Sequence, residues 1–235
     1  DLDLLVAGPA VEQASIIFDR FWNSAAAVPI GTLVHHTPTE MQKLVEGSRR
    51  LSQQPGARVF LARVARSPSI GQYLAREMPL TWSDRVAIVS DPPLKKGQDN
   101  ESQWLVQQLG EELRSAQRKA LLISPYFVPG DAGSEAFSRM VQRGVNVGII
   151  TNSLAANDVA AVHSGYKRYR EDLLRSGVKL YELKAQGKVD RAGVFGSSGA
   201  SLHTKAFVVD DRRGFVGSFN LDPRSAYLNT EMGVL

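Results

Sequence analysis

An α/β fold, a mixed β-sheet flanked by helices, is predicted by three observations. From about residue 85 onward, short apolar runs of strand length alternate with amphipathic stretches of helical period. Near the end, two such runs flank Asp210-Asp211-Arg212-Arg213, which reads as a hairpin with turn chemistry at its tip. The composition suits a chain with a real core: 43% of the 235 residues are hydrophobic and 22% charged. It excludes collagen, coiled coil and wholesale disorder.

Taken in order, residues 1–7 read as a strand already under way. Pro9 then opens a helix whose Val11, Ala14, Phe18, Phe21 and Trp22 form one stripe expected to be buried. Thr37-Pro38-Thr39-Glu40 has the form of a capping box with proline at N1, ahead of Met41, Leu44, Val45 and Leu51. Pro55-Gly56 ends that helix, and 55–84 shows only short mixed runs. Arg85 to Ser90 is a strand, broken by Asp91-Pro92-Pro93 and a polar loop to Asn100. Ser102 to Gln117 is an amphipathic helix through Trp104, Leu105, Leu109 and Leu113, and Lys119 to Ser124 a buried strand. A helix over 133–142, a strand over 146–151, a helix over 157–176 and a strand over 178–183 continue the alternation. Residues 193–201 form a Gly/Ser loop; 205–209 and 214–217 are the hairpin strands, and 231–235 begins another strand. Two regions follow: 1–82, with its linking helices, and 83–235, a lobe of alternating strands and helices. A chain that starts and stops inside sheet elements reads as part of a longer protein.

No apolar run approaches the roughly eighteen residues of a membrane span, and no basic start marks a signal peptide. The absence of cysteine removes disulfides, thiolate metal sites and a cysteine nucleophile. A net charge of +4 suits anionic partners such as lipid head groups, nucleic acid or phosphoesters without choosing among them.

The chemistry concentrates in Leu202-His203-Thr204-Lys205, continuing to Asp210, and in Gly217-Ser218-Phe219-Asn220. Residues two apart on a strand share a face, so His203 and Lys205 point the same way. An imidazole beside an ammonium is unfavourable unless an anion sits with them. The hairpin returns Ser218 and Asn220 alongside, and Gly217 permits close backbone approach. An imidazole, a point charge, a hydroxyl and a carboxamide then converge on a space suited to a phosphoryl group. Asp210, at a strand end, reads as a residue that holds loop amides.

The combination of His-x-Lys, an Asp five residues past the Lys, and Gly-Ser-x-Asn resembles the signature of the phospholipase D superfamily. Within it, Gly217 to Ser225 and Thr151 to His163 are similar to the bacterial cardiolipin synthase branch. The resemblance implies a phospholipase D-like lobe and a two-step phosphoryl transfer without metal or other cofactor. One histidine forms a phosphohistidine and a second carries protons. It makes His203 one catalytic histidine, with the C-terminal, proton-carrying role. Lys205 and Asn220 bind phosphate, Ser218 supports it, Asp210 completes the motif, and Glu231 hydrogen-bonds the imidazole. Family members have two such motifs and this sequence has one, so the other comes from an upstream lobe or from a homodimer partner; the former fits the opening residues better.

Further candidates for substrate contact are Tyr126 after a strand end, Asn152 with Thr151 and Ser153 at another, and His163 on a helix. The Lys167 to Arg170 run reads either as a lipid contact or as a solvated face. The leading expectation is a phosphatidyltransferase acting on glycerophospholipid, peripheral on the cytoplasmic face of an anionic membrane. The alternatives are a phosphodiesterase or nuclease, for which nucleic acid is the partner, and a non-catalytic anion-binding half-domain.

Overall fold

The computed structural model describes residues 2–95, 101–157, 159–184 and 201–235. Two compact units emerge, one formed by residues up to Ala26 together with Val86–Leu235, the other by Ala27–Arg85.

The second unit is helical: α2 (Ile30–Leu33), α3 (Pro38–Ser52), α4 (Pro55–Ala65) and α5 (Pro68–Ala75), after α1 (Ala10–Trp22) of the first. The capping box of α3 forms in full: the Glu40 N–H donates to Thr37 Oγ1 and the Thr37 N–H to Glu40 Oε2. Pro55 and Pro68 each occupy the first turn of a helix, where a missing N–H costs nothing, so the mixed stretch after 55 is helical.

The first unit carries a seven-stranded mixed sheet. Its strands are β1 (Ile88–Ser90), β2 (Lys119–Ile123), β3 (Asn146–Asn152), β4 (Lys179–Leu183), β5 (Lys205–Val209), β6 (Arg213–Gly217) and β7 (Met232–Val234), in the order β1-β7-β6-β5-β2-β3-β4. β2, β3 and β4 run parallel through crossover helices α7 (Gly130–Gln142) and α8 (Ala160–Arg175), while the other pairings are antiparallel. With α6 (Leu105–Arg114), these helices cover one face. Leu105, Leu109, Phe137, Met140, Tyr166 and Leu173 meet Leu122, Val147, Ile149, Phe207 and Phe215 there.

Three expectations change. Residues 2–7 form no strand, and the α1 stripe is not buried: Phe18 is 60% and Trp22 69% exposed. Periodicity identifies which side chains share a face; it does not supply what covers them. β2 is not buried on both sides, since Leu121 remains 40% exposed while Leu122 is enclosed. That is the alternation of a sheet with helices packed on one face.

The hairpin tip has a local cause. Asp210 and Asp211 both adopt left-handed backbone, φ 53° and 57°, and the Arg212 N–H donates to the Val209 carbonyl. Two successive positive φ angles give the turn whose twist matches antiparallel strands, and aspartate tolerates them better than a branched residue.

Candidate active site

The pairing fixes where the chemistry gathers. Lys205 stands opposite Gly217, Gly217 opposite Gly233, Ile123 opposite Ala206, and Ser90 opposite Met232. The ends of β1, β2, β3, β4 and β6 and the beginnings of β5 and β7 therefore lie along one edge of the sheet. His203, Lys205, Ser218, Asn220 and Glu231 all fall on that edge. Asp210 lies at the other end of β5, roughly 16 Å away at 3.3 Å per residue.

Close approach at this edge needs glycine. A Cβ on Gly217 would sit 2.6 Å from Phe215 Cζ and 2.7 Å from Gly233 Cα. The Phe215 ring lies against both glycines and stacks on Phe207 at 5.6 Å, so no side chain fits under it.

β5 begins at Lys205, and His203 lies two residues before it, solvent-exposed. Lys205 Nζ turns back to donate to the His203 carbonyl at 2.7 Å. Asn152, expected to touch substrate, instead grips the main chain beside His203. Its Oδ1 accepts from the Leu202 N–H at 2.9 Å and its Nδ2 donates to the Leu202 carbonyl at 3.1 Å. With the amide 1% exposed and both ends used, Asn152 holds the approach to His203.

The Ser218 hydroxyl is tied to β7, donating to the Met232 carbonyl at 3.2 Å and accepting from the Met232 N–H at 3.0 Å. Asn220 is buried and its Oδ1 has no partner among the described residues. Glu231, also buried, accepts from Ser225 Oγ at 2.9 Å and Asn229 Nδ2 at 3.3 Å. Among the described residues it makes no hydrogen bond with His203, contrary to the role the resemblance gives it. Ser225 and Asn229 compete for the carboxylate from six and two residues away, a local option that spacing alone did not reveal.

Several supports were not visible in the sequence. Ser124 Oγ donates to the Tyr126 carbonyl at 2.6 Å and accepts from the Leu221 N–H at 3.0 Å, tying the end of β2 to the Gly217–Leu221 segment. Tyr126 is half-buried at this junction. Asp222 caps α9 (Pro223–Tyr227), accepting from the Arg224 and Ser225 N–H groups at 2.8 and 3.0 Å. Asp-Pro is an N-cap and N1 pair that could have predicted this helix. Beneath it lies a buried ion pair, Lys95 to Asp91 at 2.8 Å, whose other bonds reach Ser225, Asn229, Leu105 and Glu231.

Asp210 accepts from the N–H groups of Gln117, Arg118 and Lys119 at 3.0, 2.8 and 2.9 Å. These backbone donors hold its carboxyl down from its ordinary 3.8 to about 2. A depressed carboxyl binds its proton less tightly folded than unfolded. Its stabilisation is therefore present above about pH 3.8 and lost as the pH falls toward about 2. Asp210→Asn should lower the melting temperature at neutral pH and flatten the fall in stability across that acid window. Thermal melts of both proteins between pH 2 and 7 check this; parallel pH profiles would refute it.

A family model described as Cardiolipin synthase, PLD-like domain matches residues 109–235, more than half the chain. The chain belongs to the phospholipase D superfamily, in its cardiolipin synthase-like branch. Curated relatives agree. Cardiolipin synthase C of Escherichia coli (strain K12) is 40% identical over 237 residues, covering 99% of this chain and 50% of that protein. Cardiolipin synthase A of Proteus mirabilis is 34% identical over 132 residues, 56% of this chain and 24% of the relative. Phosphatidylserine synthase of Haemophilus influenzae shares the fold, with a TM-score of 0.51 at 16% identity over 95% of this chain and 47% of that one. The chain thus spans about half the length of the Escherichia coli and Haemophilus influenzae proteins, and its match covers about a quarter of the Proteus mirabilis one.

The His203–Lys205 run leads into one arm of the hairpin and the Gly217–Asn220 run leaves the other, so the two lie at the same end of the sheet. The Gly217 to Ser225 run divides by function: Gly217 and Ser218 close against β7, Asn220 is buried, and Asp222 to Ser225 build a capped helix. Among the described residues, no helix is long and apolar enough to cross a membrane.

Proposed function

We propose that this chain supplies half of the active site of a phosphatidyltransferase of the cardiolipin synthase type. The observation that carries the reading is the sheet edge where Lys205, just after His203, pairs with Gly217, just before a buried Asn220 whose carboxamide oxygen has no partner among the described residues. That oxygen needs a donor, and the hydroxyl of a bound phosphoester or alcohol is one. Lys205 neutralises the non-bridging oxygens of the phosphoryl group once it leaves the His203 carbonyl.

The reaction runs in two steps. One histidine attacks phosphorus, the bond to the departing alcohol breaks, and a second histidine gives that alcohol its proton. The second histidine then takes the proton of an incoming alcohol, whose oxygen attacks phosphorus as the P–N bond breaks. His203 is the proton carrier. The nucleophile comes from a second His-x-Lys motif, in an upstream lobe or a partner chain. Asn152 keeps His203 in register by holding Leu202, and Ser218 holds β7 against the edge. The protein works peripherally on the cytoplasmic face of an anionic membrane.

The test is lipid mass spectrometry of intact protein incubated with vesicles containing phosphatidylglycerol. Cardiolipin is expected, and its formation is expected to require His203. Absence of cardiolipin, or the same yield from His203→Ala, would overturn the reading. Phosphatidic acid alone would place the enzyme among the hydrolases, and cleavage of DNA with strong salt dependence among the nucleases.

A further inference from the structure

Beyond His203, the same sheet edge holds a pocket of about 570 Å³ at the ends of β3 and β4. It is lined by Ser153, His163, Lys167, Arg170 and Glu182, with Leu154 and Ala155 at its side. His163, Lys167 and Arg170 follow one another at steps of four and three on α8, so a single helix face supplies them. The volume suits a small ligand, and the end of parallel strands is where open α/β sheets place one.

The charges in this pocket do not cancel. Glu182 Oε1 already accepts from Arg170 Nη1 and from the Tyr166 hydroxyl, both at 3.1 Å. Burial, followed by the Glu182 charge, pushes the Tyr166 phenol well above its usual range, so it stays a neutral donor. Lys167 has no ion-pair partner among the described residues, which leaves one positive charge over.

Two buried polar atoms in the lining lack partners as well. His163 is 8% exposed, its ring edge-on to Tyr166 at 5.7 Å, and its Nδ1 is unpaired among the described residues; so is Ser153 Oγ. Leaving a buried polar atom unpaired is costly, so two in one pocket with a spare cation mark a site built for a polar anion.

We infer that this pocket binds the acceptor of the transfer, a glycerol phosphodiester, with its phosphate on Lys167 and its hydroxyls on Ser153 and His163. The identity of the ligand rests on the phosphatidyltransferase reading, because an acceptor with its own phosphodiester needs a second cationic position on the edge that carries His203. A Lys167→Gln change keeps the length of an exposed helical side chain and removes the charge.

The probes are glycerophosphoglycerol and dihexanoyl phosphatidylglycerol, titrated calorimetrically into the intact protein. A Lys205→Met background weakens the phosphoryl position. Adding Lys167→Gln should raise the dissociation constant of either probe about tenfold or more, and Lys167→Arg should restore most of it. Loss for both probes supports head-group recognition by the pocket; loss for the lipid alone, with glycerophosphoglycerol unchanged, overturns it. Unchanged binding in Lys167→Gln, or no binding by the Lys205→Met protein, overturns the pocket.

A second arm follows transfer in vesicles with Lys205 intact. Lys167→Gln should need about tenfold more acceptor for half-maximal transfer and should release more phosphatidic acid from the same donor turnover. If transfer shows wild-type acceptor dependence in Lys167→Gln, the pocket falls and the transferase reading stands. If Lys167-dependent binding is found in a protein that transfers nothing, the pocket stands and the transferase reading falls.

Discussion

Replacing His203 by alanine in the intact protein should lower turnover by about 10²–10⁴-fold, the usual contribution of a positioned proton carrier. Little of that loss should come from unfolding. The imidazole is exposed, and the fold does not lean on it. Leu202 is held by Asn152 through two backbone bonds that a change at residue 203 leaves in place. The expected signature is thus a fall in kcat with a melting temperature close to that of the parent. Steady-state rates with a fluorescent phosphodiester, alongside thermal melts, check both halves. Loss of activity accompanied by a large drop in melting temperature would mean that His203 supports the fold, and would remove the proton-carrier role.

The second large effect concerns stability. Lys95 and Asp91 are 1% and 0% exposed, and every strong hydrogen-bonding direction of the pair is used. The ammonium has three donors, which go to Asp91, the Ser225 carbonyl and the Asn229 carbonyl at 2.8, 2.9 and 3.0 Å. Its charge also lies 5.4 Å from the centre of the Trp104 ring. Asp91 accepts from the Leu105 N–H at 2.8 Å and the Glu231 N–H at 3.0 Å, and its own N–H donates to the Glu231 carbonyl at 2.8 Å. One pair thus joins the end of β1, the start of α6, helix α9 and the entry to β7. Taking either partner alone leaves a buried charge uncompensated, so Lys95→Met or Asp91→Ala should cost about 3–5 kcal/mol. Urea titration measures it. Because α9 and Glu231 are anchored here, the single variants should also loosen the edge that carries Asn220. A cost under about 1 kcal/mol would show that the cluster is incidental to the fold.

Much of the sheet was legible because its strands alternate with helices at clear periods: 119–123, 146–152, 179–183 and the hairpin all lie within a residue or two of their expected ranges. The Thr37 capping box was legible because its two bonds are local. The α1 stripe misled because Phe18 and Trp22 share a face whether or not anything covers it. α4 was missed because Pro55 read as an ending when it is a beginning, and α5 because 55–84 showed only short mixed runs. That His203, Lys205 and Asn220 lie at one end of the hairpin was legible from spacing alone, since the register pairs Lys205 with Gly217. The roles of Asn152 and Glu231 were not. Their partners, Leu202 for one and Ser225 with Asn229 for the other, depend on crossover geometry and on a short helix. Asp91 and Lys95 looked like residues of a polar loop, and only burial beneath α9 gives them their meaning.

The central claim is that Lys205 and the neighbouring carboxamide hold a phosphoryl group at the sheet edge, and inorganic phosphate is its simplest probe. Calorimetric titration of phosphate into intact protein, compared with Lys205→Met and Asn220→Ala, tests it most directly. The account predicts that each change weakens binding at least tenfold while His203→Ala weakens it much less. Phosphate affinity unaltered by the loss of Lys205 would contradict it.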